Sequence, residues 1–167
     1  LFMSLIIMIS LTSILQIFMP FFIFFIAYGF TNDPIKYDLA INFSRITAPY
    51  ILLISLSSIG IAILNSLGRY FASSLGPVIF NAVLVFILIL PINNIYSMGY
   101  LLSFGVTFSG VIQFLLVFYF LSKSGYKLNL RKPENLNLIN KFSTIARPQI
   151  ITGLAVQANI VLSGIIA

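Results

Sequence analysis

Charge-free runs cover residues 1–32, 46–68, 70–122 and 148–167, and about 20 consecutive apolar residues are enough for a helix to cross the hydrocarbon core of a bilayer. The pattern predicts an all-α, polytopic integral membrane helix bundle with five membrane segments. The first spans residues 2–28, with a kink at Pro20 and an end near Gly29; a membrane helix tolerates such a proline because neighbouring groups re-satisfy the freed carbonyl. The second spans 49–67 and is entered through Pro49 of "TAPY", since proline suits a first helical turn. A single helix over residues 70–122 would be far longer than any bilayer is thick, so this run is divided at "LPINNIYSMG", whose proline, asparagines and glycine are turn chemistry. That leaves a third segment at 77–90, opening on Pro77, and a fourth at 99–121. The fifth opens at Pro148 and occupies 148–167.

Composition agrees with this reading. Hydrophobic residues make up 60% of the chain and charged residues 7%, against about half and about a quarter in a soluble domain. The first run has no basic leader, and it is longer than the roughly 7 to 15 residues of a signal-peptide core. The chain opens on Leu1 and stops within an apolar run at Ala167, as expected of a piece of a longer protein. Cysteine and histidine are both absent, so no disulfide framework and no Cys/His metal site is expected, and no cofactor.

Charge sets an expected orientation. The intervals 30–45 (Lys36 and Arg45 against Asp33 and Asp38) and 91–98 carry no net charge. The intervals 69–76 (Arg69) and 123–147 (six basic residues against Glu134) carry all of the net +6. By the positive-inside rule the second pair is cytoplasmic, which also places Leu1 on that side. Arg69 is then expected at the cytoplasmic turn of a tight hairpin, because an arginine at mid-bilayer costs about 2.5 to 3.5 kcal/mol on insertion scales. The basic interval 123–147 is expected to contact anionic lipid headgroups rather than nucleic acid. Within it Leu136, Ile139 and Phe142 recur at a spacing that suits a short helix lying on the membrane surface; a solvated linker is the alternative.

Enzyme signatures are nearly missing, and no catalytic residue is expected. Asp33 and Asp38 sit in a polar interval with Lys36 and Arg45 nearby, with nothing to raise either pKa for acid–base work. "GRYFASSLG" lacks the lysine and hydroxyl spacing of a phosphate loop. What remains is small and neutral polar residues inside the helices. Ser55, Ser58, Ala62 and Asn65 share one face of the second segment, beside Ser57, Gly60 and Ser66, where they suit close helix packing. The amides Asn65, Asn81, Gln113, Gln157 and Asn159 must face other helices or a wet cavity, because an amide in hydrocarbon has to find partners. The candidate pathway or gate residues are therefore Arg69, Asn65, Asn81, Gln157, Asn159 and Arg147.

The stretch "TAPYILLISLSSIGIAILNSLGRYFASSLGPVIFNAVLVF", residues 47–86, resembles the fourth and fifth transmembrane helices of the MurJ/MviN lipid II flippases with their intervening turn. "GVTFSGVIQFLLVFYFLSKSGYKL" resembles that family's sixth helix running into a basic loop, and "RPQIITGLAVQANIVLSGIIA" the start of its seventh. The resemblance implies part of a MATE-like two-lobe transporter: residues 1–122 in the N-terminal lobe, 123–147 as the lobe connector, and 148–167 opening the C-terminal lobe. It further implies a flippase of the bacterial inner membrane, acting in cell-wall synthesis on lipid II, the undecaprenyl-linked peptidoglycan precursor. The arginines thought to hold the substrate's pyrophosphate lie on family helices outside this stretch, so the piece alone is not expected to be active. A MATE-like exporter, another polyprenol-linked glycan flippase, and a non-transporting scaffold or membrane-enzyme subunit are the alternatives.

Overall fold

The computed structural model describes residues 2–125, 144, 148, 151–153 and 155–156. Among them every regular element is helical: α1 (Phe2–Ile17), α2 (Met19–Ile26), a short 3₁₀ helix (Tyr28–Asn32), α3 (Pro34–Ser66), α4 (Phe71–Ile89) and α5 (Ile95–Lys123). The chain divides into two compact units, Leu1–Leu130 and Arg131–Ala167. The described residues of the second, Pro148 among them, are helical. Most of the surface helix expected within residues 123–147 lies outside the described residues.

Three helices, α3, α4 and α5, are each long and apolar enough to cross a membrane; α1 and α2 together make a fourth such element, bent by 74°. The bend corrects the expected single helix kinked at Pro20. The break falls at Phe18, and Pro20 occupies the first turn of α2. Proline has no N–H to give Gln16 O and its ring crowds the preceding turn, so α1 ends and α2 restarts at Met19, with Pro20 in its first turn where the missing N–H is harmless. The α2 start is held from outside, because the Tyr37 hydroxyl donates to Pro20 O at 2.7 Å.

The largest correction concerns α3, which begins at Pro34 rather than at Pro49. Most of the polar interval 30–45 is helix. Asp33 caps it, its carboxylate accepting from Ile35 N at 3.1 Å and Lys36 N at 3.2 Å, with Pro34 at the first helical position. With 33 residues α3 is about 50 Å long, more than the roughly 30 Å hydrocarbon core, so its charged first turns extend beyond the apolar layer.

Pro49 thus lies inside α3, where it removes the donor that the Arg45 carbonyl would otherwise have. Gln16 of α1 replaces it, donating from Nε2 to Arg45 O at 2.7 Å. One residue on, Thr107 Oγ1 of α5 donates to Ile46 O at 2.5 Å. The carbonyls around the proline therefore tie three helices together.

Pro77 is likewise inside α4, which starts at Phe71, and α5 starts at Ile95, capped by Asn94 accepting from Tyr96 N at 2.9 Å. Helix α5 packs along both α3 and α4, which themselves touch little. Small residues set these approaches: a Cβ on Gly60 would lie 2.4 Å from Val117 Cγ1, and one on Gly105 would lie 2.3 Å from Ile87 Cδ1. The packed face of α3 is Leu56, Ser57, Gly60 and Leu64, whereas Ser58 and Ala62 of the expected small-residue face are exposed. Leu64, Ala72, Val117 and Leu121 form the apolar cluster that joins α3, α4 and α5.

Candidate functional site: a polar groove and a basic turn

Because α3 and α4 meet mainly through α5, a groove of about 330 Å³ opens between them. Helix α3 supplies Tyr50, Ser57 and Ser58 to its wall, α4 supplies Ser73, Pro77 and Asn81, and α5 supplies Gln113. Gln113 is 6% exposed and lies tight against α4, where a Cβ on Gly76 would stand 3.1 Å from its Oε1. Its Nε2 has no hydrogen-bond partner among the described residues.

The groove presents neutral hydrogen-bonding atoms. The Ser57, Ser58 and Ser73 hydroxyls donate to carbonyls of their own helices at 2.8, 2.8 and 2.6 Å, which turns their lone pairs outward as acceptors. Pro77 has no N–H, so Ser73 O lacks its regular helical donor as well. Among the described residues no charged side chain lines this groove. Such an arrangement can hydrate the helix interface or bind a neutral polar group, and it contains no acid–base pair.

Arg69 stands apart from it, on the turn that joins α3 to α4. That turn is a helix stop of the Schellman type: Arg69 N donates to Leu64 O at 2.9 Å and Gly68 N to Asn65 O at 3.0 Å. Gly68 has φ +73°, a conformation that glycine adopts without strain. Asn65 lines neither the groove nor the basic basin around Arg69, and its Oδ1 is buried without a partner among the described residues. The structure therefore brings Asn81 together with Pro77 and Gln113, and places Asn65 and Arg69 about one turn apart at the end of α3. Arg147, Gln157 and Asn159 lie outside the described residues.

Asp33 and Asp38 remain a surface feature of the start of α3. Asp33 caps the helix and pairs with Lys36 at 3.3 Å. The Lys36 backbone N–H, followed by its side chain, holds the Asp33 carboxyl below the usual carboxylate range. Among the described residues no cluster of ligands suited to a metal ion occurs.

Two contributions escaped the sequence reading. Lys123 shares a basin with Arg69, though only its charge was legible. Gln16 and Thr107 serve the carbonyls near Pro49, and the proline was the one signal that such donors were needed.

A family model described as "Lipid II flippase MurJ" matches residues 1–167 of this chain. The chain belongs to the MurJ lipid II flippase family. Among curated MurJ relatives, the "Probable lipid II flippase MurJ" of Rhizobium meliloti (strain 1021) is 32% identical over 165 residues, which cover 96% of this chain and 31% of that protein. The protein of the same name from Rickettsia prowazekii (strain Madrid E) is 29% identical over 156 residues, 93% of this chain and 31% of its own length. That of Buchnera aphidicola subsp. Schizaphis graminum is 44% identical over 71 residues, 42% of this chain and 14% of the relative. The chain thus spans about a third of the length of the MurJ proteins it matches most fully. Family and helices together describe part of a multi-pass bacterial membrane protein.

Proposed function

We propose that the protein containing this chain carries lipid II across the bacterial inner membrane by alternating access, one lobe rocking against the other around a central cavity. The observation that carries the reading is the family match over residues 1–167. The helices are compatible with such a motion. Prolines interrupt three of the membrane elements, and the carbonyl freed in α3, Arg45 O, is held by a side chain of another helix rather than by backbone, so that contact can be exchanged without unfolding a helix.

In this reading residues 1–122 belong to the N-terminal lobe, 123–147 connect the lobes at the cytoplasmic face, and Arg69 lies at the cytoplasmic mouth. Asn65, Asn81, Gln157, Asn159 and Arg147 are pathway or gate residues, and the Asn81–Gln113 groove is a polar surface along which a neutral part of the substrate passes. Single cysteines replacing Ser73 and Asn32 test the orientation: the first should be shielded from a membrane-impermeant thiol reagent in intact cells and the second labelled, and the reverse pattern overturns it.

The function is tested by expressing the full-length protein in cells depleted of their own lipid II flippase. Growth and peptidoglycan synthesis should return. Failure by a protein that is well expressed and correctly inserted would remove lipid II as the substrate and leave a MATE-like exporter or another polyprenol-linked glycan flippase.

A further inference from the structure

The end of α3, the start of α4 and the end of α5 meet around a second depression, of about 380 Å³, separate from the polar groove. Its wall carries two cations, Arg69 from the turn and Lys123 from the last turn of α5, and three aromatic rings, Tyr70, Phe71 and Phe120. Among the described residues no acidic one lines it. Among the described residues Lys36 and Asp33 form the only ion pair, so neither Arg69 nor Lys123 has its charge neutralised there.

Two like charges facing one basin raise each other's energy unless an anion lies between them. Their placement is not accidental to a floppy loop. Arg69 N is fixed to Leu64 O by the helix-stop hydrogen bond, and Lys123 belongs to a regular helix that packs on α3 and α4 through Val117 and Leu121. The guanidinium offers a planar fork and the ammonium a compact point charge, a combination suited to the several oxygens of a phosphate.

The surroundings say where that phosphate comes from. Tyr70 and Phe71 are 65% and 64% exposed, and Phe71 meets Phe120 edge-on at a centroid distance of 5.9 Å. Exposed aromatic residues at the ends of membrane helices sit at headgroup level. A free anion has no use for an apolar flank, whereas a lipid presents a phosphate and an acyl-glycerol body side by side. We infer that Arg69 and Lys123 form a binding site for the phosphate of a membrane lipid, with Tyr70, Phe71 and Phe120 flanking its acyl-glycerol part. The site is independent of whether lipid II is transported, and it is measured without transport.

The test uses the full-length protein in nanodiscs of phosphatidylcholine containing a graded fraction of phosphatidylglycerol, with retained lipids counted by native mass spectrometry. The wild type should retain phosphatidylglycerol in preference to phosphatidylcholine. A basic side chain near an anionic surface contributes about fivefold, so the double variant Arg69→Gln/Lys123→Gln should lower that preference roughly thirtyfold. Lys36→Gln, which removes a cation already paired and outside the basin, should change it by less than about twofold. Should the double variant fail to fold, as judged by its melting curve in pure phosphatidylcholine, Lys123→Gln alone should still show the fivefold loss. Unchanged retention in a folded variant overturns the site. A further arm adds millimolar inorganic phosphate to protein in pure phosphatidylcholine. Thermal stabilisation equal to that given by phosphatidylglycerol would show that the basin takes free phosphate and overturn its assignment to lipid; little or no stabilisation supports it.

Discussion

Replacing Gln16 by leucine should weaken the bundle through one atom of another helix, the Arg45 carbonyl. In an ordinary helix that carbonyl would accept from the residue four positions on, but here that residue is Pro49 and the acceptor depends on Gln16 Nε2 at 2.7 Å. A buried acceptor left unpaired would cost about 1 to 3 kcal/mol, but the Gln16–Arg45 bond is exposed on the bundle surface, and interhelical hydrogen bonds in membrane proteins average about 0.6 and reach about 1.7 kcal/mol. The lower range governs here, because Arg45 O also lacks its helical donor when the helices are separated in the membrane. We therefore expect Gln16→Leu to destabilise the folded protein by about 1 kcal/mol. Pro49→Ala supplies an N–H to Arg45 O in both states, so in that background the same substitution should cost less, leaving a coupling of about 0.5 to 1 kcal/mol. Reversible unfolding in bicelles, followed by steric trapping for the wild type, the two single variants and the double variant, measures this directly. Thr107→Val serves as the contrast: Ile46 O keeps the Tyr50 N–H as its regular donor, so its effect should not depend on Pro49. Equal losses from Gln16→Leu with and without Pro49 would refute the view that Gln16 replaces the donor that Pro49 removes.

Three other expectations follow from separate features. Gly60→Ala, whose Cβ would fall 2.4 Å from Cγ1 of the β-branched Val117, should lower stability by about 1 to 3 kcal/mol; Gly105→Ala, whose Cβ meets the movable Cδ1 end of Ile87, should cost less, and Gly29→Ala, with nothing within 4 Å, should be near neutral in a melting experiment. Asp33 has a carboxyl held below its ordinary pKa, so its contribution to stability is full above the unfolded-state value and fades as pH falls through the folded one; Asp33→Asn should flatten that acid limb of the melting temperature, and an unchanged limb would separate the cap from the effect. At equal membrane abundance, Arg69→Lys should lose part of the transport and Arg69→Gln more, because a bidentate contact needs the planar fork and any headgroup anchoring needs at least the charge; full transport by the glutamine variant would leave Arg69 no role in gating.

The membrane class was legible because it rests on runs of residue type: 7% charge cannot cover a soluble surface, whatever the tertiary contacts. The α3–α4 turn was legible too, since Gly68 and its neighbours carry a local helix-stop signal that the structure uses. Helix starts were not. Asp33–Pro34 is a cap followed by a first-turn proline, but its polar surroundings read as a loop, and Pro49 offered a competing start. The carbonyl that Pro49 frees, Arg45 O, is served by Gln16, 29 positions from Arg45 in sequence, and the next carbonyl by Thr107, 61 positions from Ile46. No local pattern reports such partners. Likewise Asn81 was identifiable as a polar residue in an apolar helix, but its grouping with Gln113, and that of Arg69 with Lys123, is set by the path of α5 across α3 and α4.

The proposed flippase activity is tested most directly by reconstituting the purified full-length protein in liposomes with fluorescently labelled lipid II in both leaflets, then adding a membrane-impermeant quencher. The quenched fraction should rise from about half, the outer leaflet alone, toward the whole as protein moves lipid II between leaflets, and the Arg69→Gln variant should slow the rise. A quenched fraction that stays at the protein-free level, with folded protein inserted in every liposome and any driving ion gradient applied in both directions, would contradict it.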